Sequence, residues 1–102
     1  MINNYIKSIQ INDENRYLVI YFKNKVLNEN GDNLTIKNFK LKLNMNNIIS
    51  KLNIDKIFIN DEISYTIFFN INNNTIIKNS KIIVELEDIV NYNFDELSKN
   101  QY

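Results

Sequence analysis

The chain has no cysteine, no histidine, no proline, no tryptophan and a single glycine, Gly31. Without cysteine there is no disulfide, no thiolate nucleophile and no cysteine-ligated zinc or iron–sulfur centre. Without histidine the commonest general base and the commonest metal ligand are missing. One glycine cannot build a phosphate-cradling loop of the Walker or Rossmann type, nor a G-x-S-x-G nucleophile elbow. The longest apolar run, Tyr17 to Phe22, falls far short of the ~20 residues that span a bilayer. Met1-Ile2-Asn3-Asn4-Tyr5 lacks the basic start and apolar core of a secretory signal. The expectation is a product made in the cytoplasm without a signal peptide, with no membrane partner.

Charge of one sign is missing as well. Twelve Lys and Arg balance twelve Asp and Glu. A nucleic-acid binder usually shows a basic stripe, because neutralised phosphates supply much of its affinity. Here the densest basic stretch is Lys37, Lys40 and Lys42, spaced as the solvated face of a strand. No nucleic-acid partner is expected. A net charge of zero also leaves little self-repulsion to oppose association.

What is present is asparagine and isoleucine: 22 and 19 of the 102 residues. Lys, Phe and Tyr are plentiful, whereas Gly, Arg, Ala and Pro are nearly or wholly absent. The first group has AT-rich codons and the second GC-rich ones, which points to an AT-rich genome. In such a chain an Asn cluster is weak evidence for a functional amide. The two N-x-Thr sequons, at Asn33 and Asn73, read as chance matches.

The length suits one domain spanning residues 1–102, and nothing in the composition divides it. The dominant periodicity is two. Tyr5, Ile9 and Ile11 share a face of a first strand, with Lys7 intruding. Asn12-Asp13-Glu14-Asn15 is a turn. Arg16 to Phe22 is apolar on both faces, as in a central strand covered on two sides. Asn30-Gly31 is a type I′ hairpin signal, which would set Leu27 opposite Leu34 and Val26 opposite Thr35. Leu34 and Ile36 fall out of phase with Phe39, Leu41, Leu43 and Met45, so a bulge or break is predicted near Lys37-Asn38. Residues 46–52 lose the alternation and suggest one or two helical turns capped by Asn. Ile54 to Ile59 reads as a short strand, and Asp61-Glu62 as a turn. Ile63, Tyr65, Ile67, Phe69 and Ile71 alternate with polar residues, and Ile82, Val84 and Leu86 form the face of a last strand. A short segment at 75–78 and a helix capped by Asn93 complete the pattern. At least half the chain should be strand, and under about 15% helix. The fold class is therefore all-β, a small antiparallel β-sandwich of immunoglobulin-like type with seven or eight strands and at most one or two short helical segments. The Cys…Trp…Cys markers of true immunoglobulin domains are absent.

The chemistry left to such a chain is sparse. Asp13-Glu14, Asp61-Glu62 and Asp95-Glu96 read as solvated turn residues. Glu85, Glu87 and Asp88 could approach a calcium ion through oxygen, but suit the polar face of a strand better. No catalytic residue, cofactor or metal is expected, and the chain reads as a non-enzyme. Apolar side chains on both faces of Tyr17–Phe22 instead suggest a partner. Leu18, Ile20 and Phe22 are expected inward, because tyrosine hydroxyls favour a polar boundary. Tyr17 and Tyr21 then face outward. They join Phe68, which breaks the polar face Ser64-Thr66-Phe68-Asn70, and the apolar residues Tyr92, Phe94 and Leu97 of the C-terminal stretch as candidate protein-contact residues. That outer face is expected to be covered by the 46–52 segment, by the Ile89–Leu97 stretch or by another chain. The function this supports is a structural or assembly subunit acting through protein–protein contacts, as a homo-oligomer or in a larger assembly such as a phage particle, where it would serve as an auxiliary, decoration or connector protein. The alternative is a small inhibitor or immunity-type protein, for example an anti-defence protein, binding one protein target. A carbohydrate-binding or adhesive module is third.

Overall fold

The computed structural model describes residues 5–70 and 81–90, and the backbone of 99–101. It is all-β and antiparallel, with one 3-10 turn at Ile36–Asn38 as its only helical element among the described residues. The strands are β1 (Ile6–Asn12), β2 (Tyr17–Phe22), β3 (Phe39–Met45), β4 (Ile48–Asp61), β5 (Ser64–Asn70), β6 (Lys81–Leu86) and β7 (Lys99–Gln101). They join one continuous sheet in the order β1-β2-β5-β4-β3-β6-β7. The first six strands along this order curl into a half-barrel, and three-residue β7 extends the β6 edge. The two stacked sheets of an immunoglobulin-like sandwich are thus not confirmed. Strand count and alternation are common to both architectures; what separates them is strand β4.

The 14 residues of β4 serve both arms of the sheet. Its first part pairs with β3, Met45 opposite Ile48 through Leu41 opposite Leu52. Its second part pairs with β5, from Asn53 opposite Asn70 to Asp61 opposite Ser64. Register shifts between Ile54 and Lys56 and between Ile59 and Asp61 bend the strand, as an inserted residue increases local twist and kinks the ladder. The helical turns expected over 46–52 are therefore absent, and the segment is a turn and the start of β4, paired with β3 rather than laid over β2. Asn46 and Asn47 sit at φ +51° and +67° and form a two-residue connection between paired Met45 and Ile48. A hairpin of this length wants positive φ at both central positions, and Asn tolerates it better than other non-glycine residues. The Asn44 side-chain oxygen accepts from the Asn47 N–H at 3.1 Å and holds the turn.

The only glycine sits at φ +81°, as a tight turn requires, but its turn does not join two strands. The Gly31 N–H donates to the Asn28 carbonyl at 2.9 Å and the Asn28 N–H to the Asp32 carbonyl at 2.8 Å. Asn30 is not among the positive-φ residues, so the turn is not type I′. The expected Leu27–Leu34 and Val26–Thr35 pairs do not form, because the segment after the turn runs into the 3-10 turn. The break expected near Lys37-Asn38 is that turn, and β3 starts at Phe39. A bulge at Lys7, between the Ile6 and Ser8 pairings, is a second departure. It puts Ile6 into the core, with Tyr5 and Ile9 packed partly buried against it, while Ile11, the expected third member of that face, is exposed.

One apolar cluster fills the concave side. Leu18, Ile20 and Phe22 are fully buried in β2, as the inward assignment requires. Tyr65, Ile67 and Phe69 of β5, Phe39, Leu41 and Leu43 of β3, and Ile82, Val84 and Leu86 of β6 share the same core. The loop after β2 adds Val26 and Leu34, and Ile89 joins from the chain after β6. Polar anchors hold this loop down. The Tyr65 hydroxyl accepts from the Leu34 N–H at 3.0 Å. The buried Asn38 amide donates to the Glu87 and Asp88 carbonyls at 2.9 and 3.3 Å, and its oxygen accepts from the Thr35 N–H. Leu27 and Glu29 exchange backbone bonds with Val90 and Asp88. The short segment at 75–78 and the helix expected after Asn93 lie outside the described residues.

Candidate protein-contact surface

Directly opposed residues of antiparallel strands share a face, so the register identifies what the convex side presents. Tyr17 of β2 opposes Phe68 of β5, which opposes Lys56 of β4. In the next row Val19 opposes Thr66, which opposes Phe58. Tyr21 opposes Ser64 in the third. On β1 the outward partners are polar: Asn12 beside Tyr17, Gln10 beside Val19 and Ser8 beside Tyr21.

The rings of Tyr17 and Phe68 lie 5.3 Å apart at 48°, and those of Phe58 and Phe68 5.8 Å apart at 84°. These separations fall in the favourable range for aromatic pairs, so the three rings make one cluster across three strands. The Lys56 ammonium lies 5.0 Å from the Phe68 ring centre and 5.4 Å from that of Phe58, within cation–π range. Phe58 remains 49% exposed, a large apolar surface for a strand residue. Around the cluster, the Asn60 amide donates to the Thr66 hydroxyl at 2.8 Å, and the Asn12 amide to the Tyr17 hydroxyl at 3.4 Å. No two rings are coplanar, so they do not form the flat platform on which a sugar ring would stack.

Of the residues singled out from sequence, Tyr17 and Phe68 meet in this cluster. Tyr21 shares the face but touches no other described ring. Tyr92, Phe94 and Leu97 lie outside the described residues. Phe58 and Lys56 belong to the cluster, yet simple alternation does not reveal them. The bulge beside Asp55 reverses the phase of β4, moving Ile57 to the inner face and Lys56 and Phe58 outward. A residue count through Ile54–Ile59 cannot locate that slip, since five of its six side chains in alternation are apolar or long-stemmed.

The lysine stretch lies on the other arm. Lys42 contacts Glu85 and Lys40 contacts Glu87, each at 3.0 Å. The hydrogen bond and charge of Glu87 raise the pKa of Lys40. Two of the three lysines therefore face carboxylates, and Glu85 and Glu87 are engaged with them. Among the described residues no group of three or more acidic side chains is placed to hold a metal ion, and no helix is long and apolar enough to cross a membrane. Comparison of the chain with protein-family models, with curated proteins and with solved structures finds no match.

Proposed function

We propose that this protein is a non-enzymatic structural or assembly subunit whose convex face docks onto another protein, either a second copy or a component of a larger assembly such as a phage particle. The observation that carries the proposal is the Tyr17–Phe68–Phe58 cluster with Lys56 across it, half exposed at Phe58, on a sheet whose other face already holds the core. Aromatic rings with a polar surround are the side chains that most often anchor protein interfaces. The tilted rings favour this over the sugar-binding reading. A structural subunit would be a stoichiometric part of a large assembly, whereas an inhibitor of one target would form a single defined complex.

Light scattering across a concentration series, and capture of partners with the purified protein, test the surface. Phe58→Ser and the double variant Tyr21→Ser with Phe68→Ser should lose self-association or capture, with the far-ultraviolet circular dichroism spectrum unchanged. Phe58→Ser is the cleaner probe, because the ring is half exposed and its loss leaves the core intact. Normal association of all variants, or a wild type that is a strict monomer and captures nothing, overturns the proposal.

A further inference from the structure

Asparagine is the most abundant residue, yet one of the 22 stands apart: Asn30 alone precedes a glycine. Its side chain is exposed and makes no hydrogen bond with any described residue. Three asparagines in or beside other turns have occupied side chains. The Asn12 oxygen accepts from Asn15 N–H, that of Asn44 from Asn47 N–H, and the Asn38 amide is buried between Thr35, Glu87 and Asp88. A glycine offers its peptide nitrogen without a side chain in the way, and even a Cβ at Gly31 would meet nothing within 4 Å.

We infer that Asn30 is a site of spontaneous deamidation through a cyclic imide, and that the side chain of Asn28 sets its rate. The Gly31 peptide nitrogen gives up its proton and attacks Cγ of Asn30. The carboxamide nitrogen leaves as ammonia and a five-membered succinimide closes. Water then opens the ring at one of its two carbonyls, giving aspartate or isoaspartate. The net change consumes one water and releases one ammonia, with no oxidant or enzyme. The brake lies in the turn. The Gly31 N–H is bound to the Asn28 carbonyl at 2.9 Å, and this bond must open before the nitrogen can attack. The Asn28 side-chain oxygen accepts from both Asn30 N–H (2.9 Å) and Asp32 N–H (3.0 Å), and its amide donates to the Asn33 carbonyl (3.2 Å). One side chain thus fastens the backbone on both sides of the reacting pair. The product places a new carboxylate between Glu29 and Asp32, where Glu29 N–H is bound to the Asp88 carbonyl at 2.9 Å.

Purified protein held at mildly alkaline pH and 37 °C, then mapped by peptide mass spectrometry, tests both parts. The expected result is a gain of about 1 Da on the peptide carrying Asn30, split between aspartate and isoaspartate. The isoaspartate share is read with an isoaspartyl methyltransferase. Asn28→Ala, folded by circular dichroism, should convert several-fold faster. Asn30→Gln should show no product at this position. An unmodified Asn30 while other asparagines convert, or a product free of isoaspartate, overturns the site and its cyclic route. An unchanged rate in Asn28→Ala overturns the role of Asn28.

Discussion

At Gly31 the backbone sits at φ +81°, where a side chain is strained whatever space surrounds it. Gly31→Ala should therefore lower stability by about 1 kcal/mol, and a denaturant midpoint equal to that of wild type would contradict the left-handed backbone. Tyr65 is a second informative residue. Its ring packs against Phe22 and Phe39 at 5.9 and 5.8 Å, and its hydroxyl receives the Leu34 N–H. Burial raises its pKa, partly offset by the Leu34 N–H, which favours the phenolate. Because the folded pKa is raised, the folded state holds this proton after the unfolded chain has released it. The contribution to stability is thus whole below the ordinary value of 10.0 and is lost as pH climbs from there through the folded value. Tyr65→Phe should cost about 1 kcal/mol near neutral pH, as Leu34 N–H loses its acceptor, and should flatten the alkaline loss in urea midpoints measured across that window. An alkaline limb as steep as that of wild type would show that Tyr65 does not carry it. Much at this scale was legible in the residues. Gly31 reads as left-handed because no other residue type is so permissive, and Leu18, Ile20 and Phe22 read as inward because the alternate set carries hydroxyls. The anchoring role of Tyr65 was not legible, since its partner lies 31 residues away in an irregular loop.

Among the elements, the β3–β4 hairpin departs furthest from expectation. Asn46-Asn47 resembles a helix cap followed by apolar residues, and in a chain so rich in asparagine the pair carries little signal of its own. Its role comes from φ of +51° and +67°, a requirement of the backbone that a pattern of apolar spacing does not contain. A β-branched residue should pay heavily there. Asn47→Val should destabilise by ~1–2 kcal/mol, while the same replacement at Asn53, exposed within β4, should be near neutral or favourable because strands accept branched side chains. Equal effects at the two positions, measured by chemical denaturation, would argue against a left-handed Asn47. The same hairpin explains why β4 looks short in the sequence. Its first residues, Ile48 to Lys51, are exposed and show no alternation, so only Ile54–Ile59 reads as strand, and the bulge beside Asp55 falls within that stretch. Bulge positions depend on how the sheet must bend, and that is decided by partners elsewhere. Phe58 and Lys56 were hidden for this reason, and with them half of the aromatic cluster.

For the whole molecule the sheet order matters most, and it was the least legible feature. β2 pairs with β5 and β3 with both β4 and β6, so neighbours in space are drawn from distant parts of the chain, and local pattern specifies strands without ordering them. The order has a consequence for cooperativity. One arm consists of β1, β2, β5 and the later part of β4, and the other of β3, β6 and the earlier part of β4. The arms share β4 and one continuous core, with Leu52 buried where the strand passes from one to the other. Neither arm can open without exposing apolar surface of its neighbour, so they should unfold together. The tyrosines make this measurable. With no tryptophan, and with four of the six tyrosines, Tyr5, Tyr17, Tyr21 and Tyr65, on or beside the first arm, near-ultraviolet signals recorded with Tyr92 and Tyr102 replaced by Phe report on that arm, while far-ultraviolet circular dichroism reports on the strands of both. The two thermal transitions should coincide. Leu52→Ala should cost ~2–5 kcal/mol, as expected for truncating a buried leucine, and should move both transitions by the same amount. If the tyrosine signal melts at its original temperature while the far-ultraviolet signal shifts, the arms are independent units and the shared strand does not couple them.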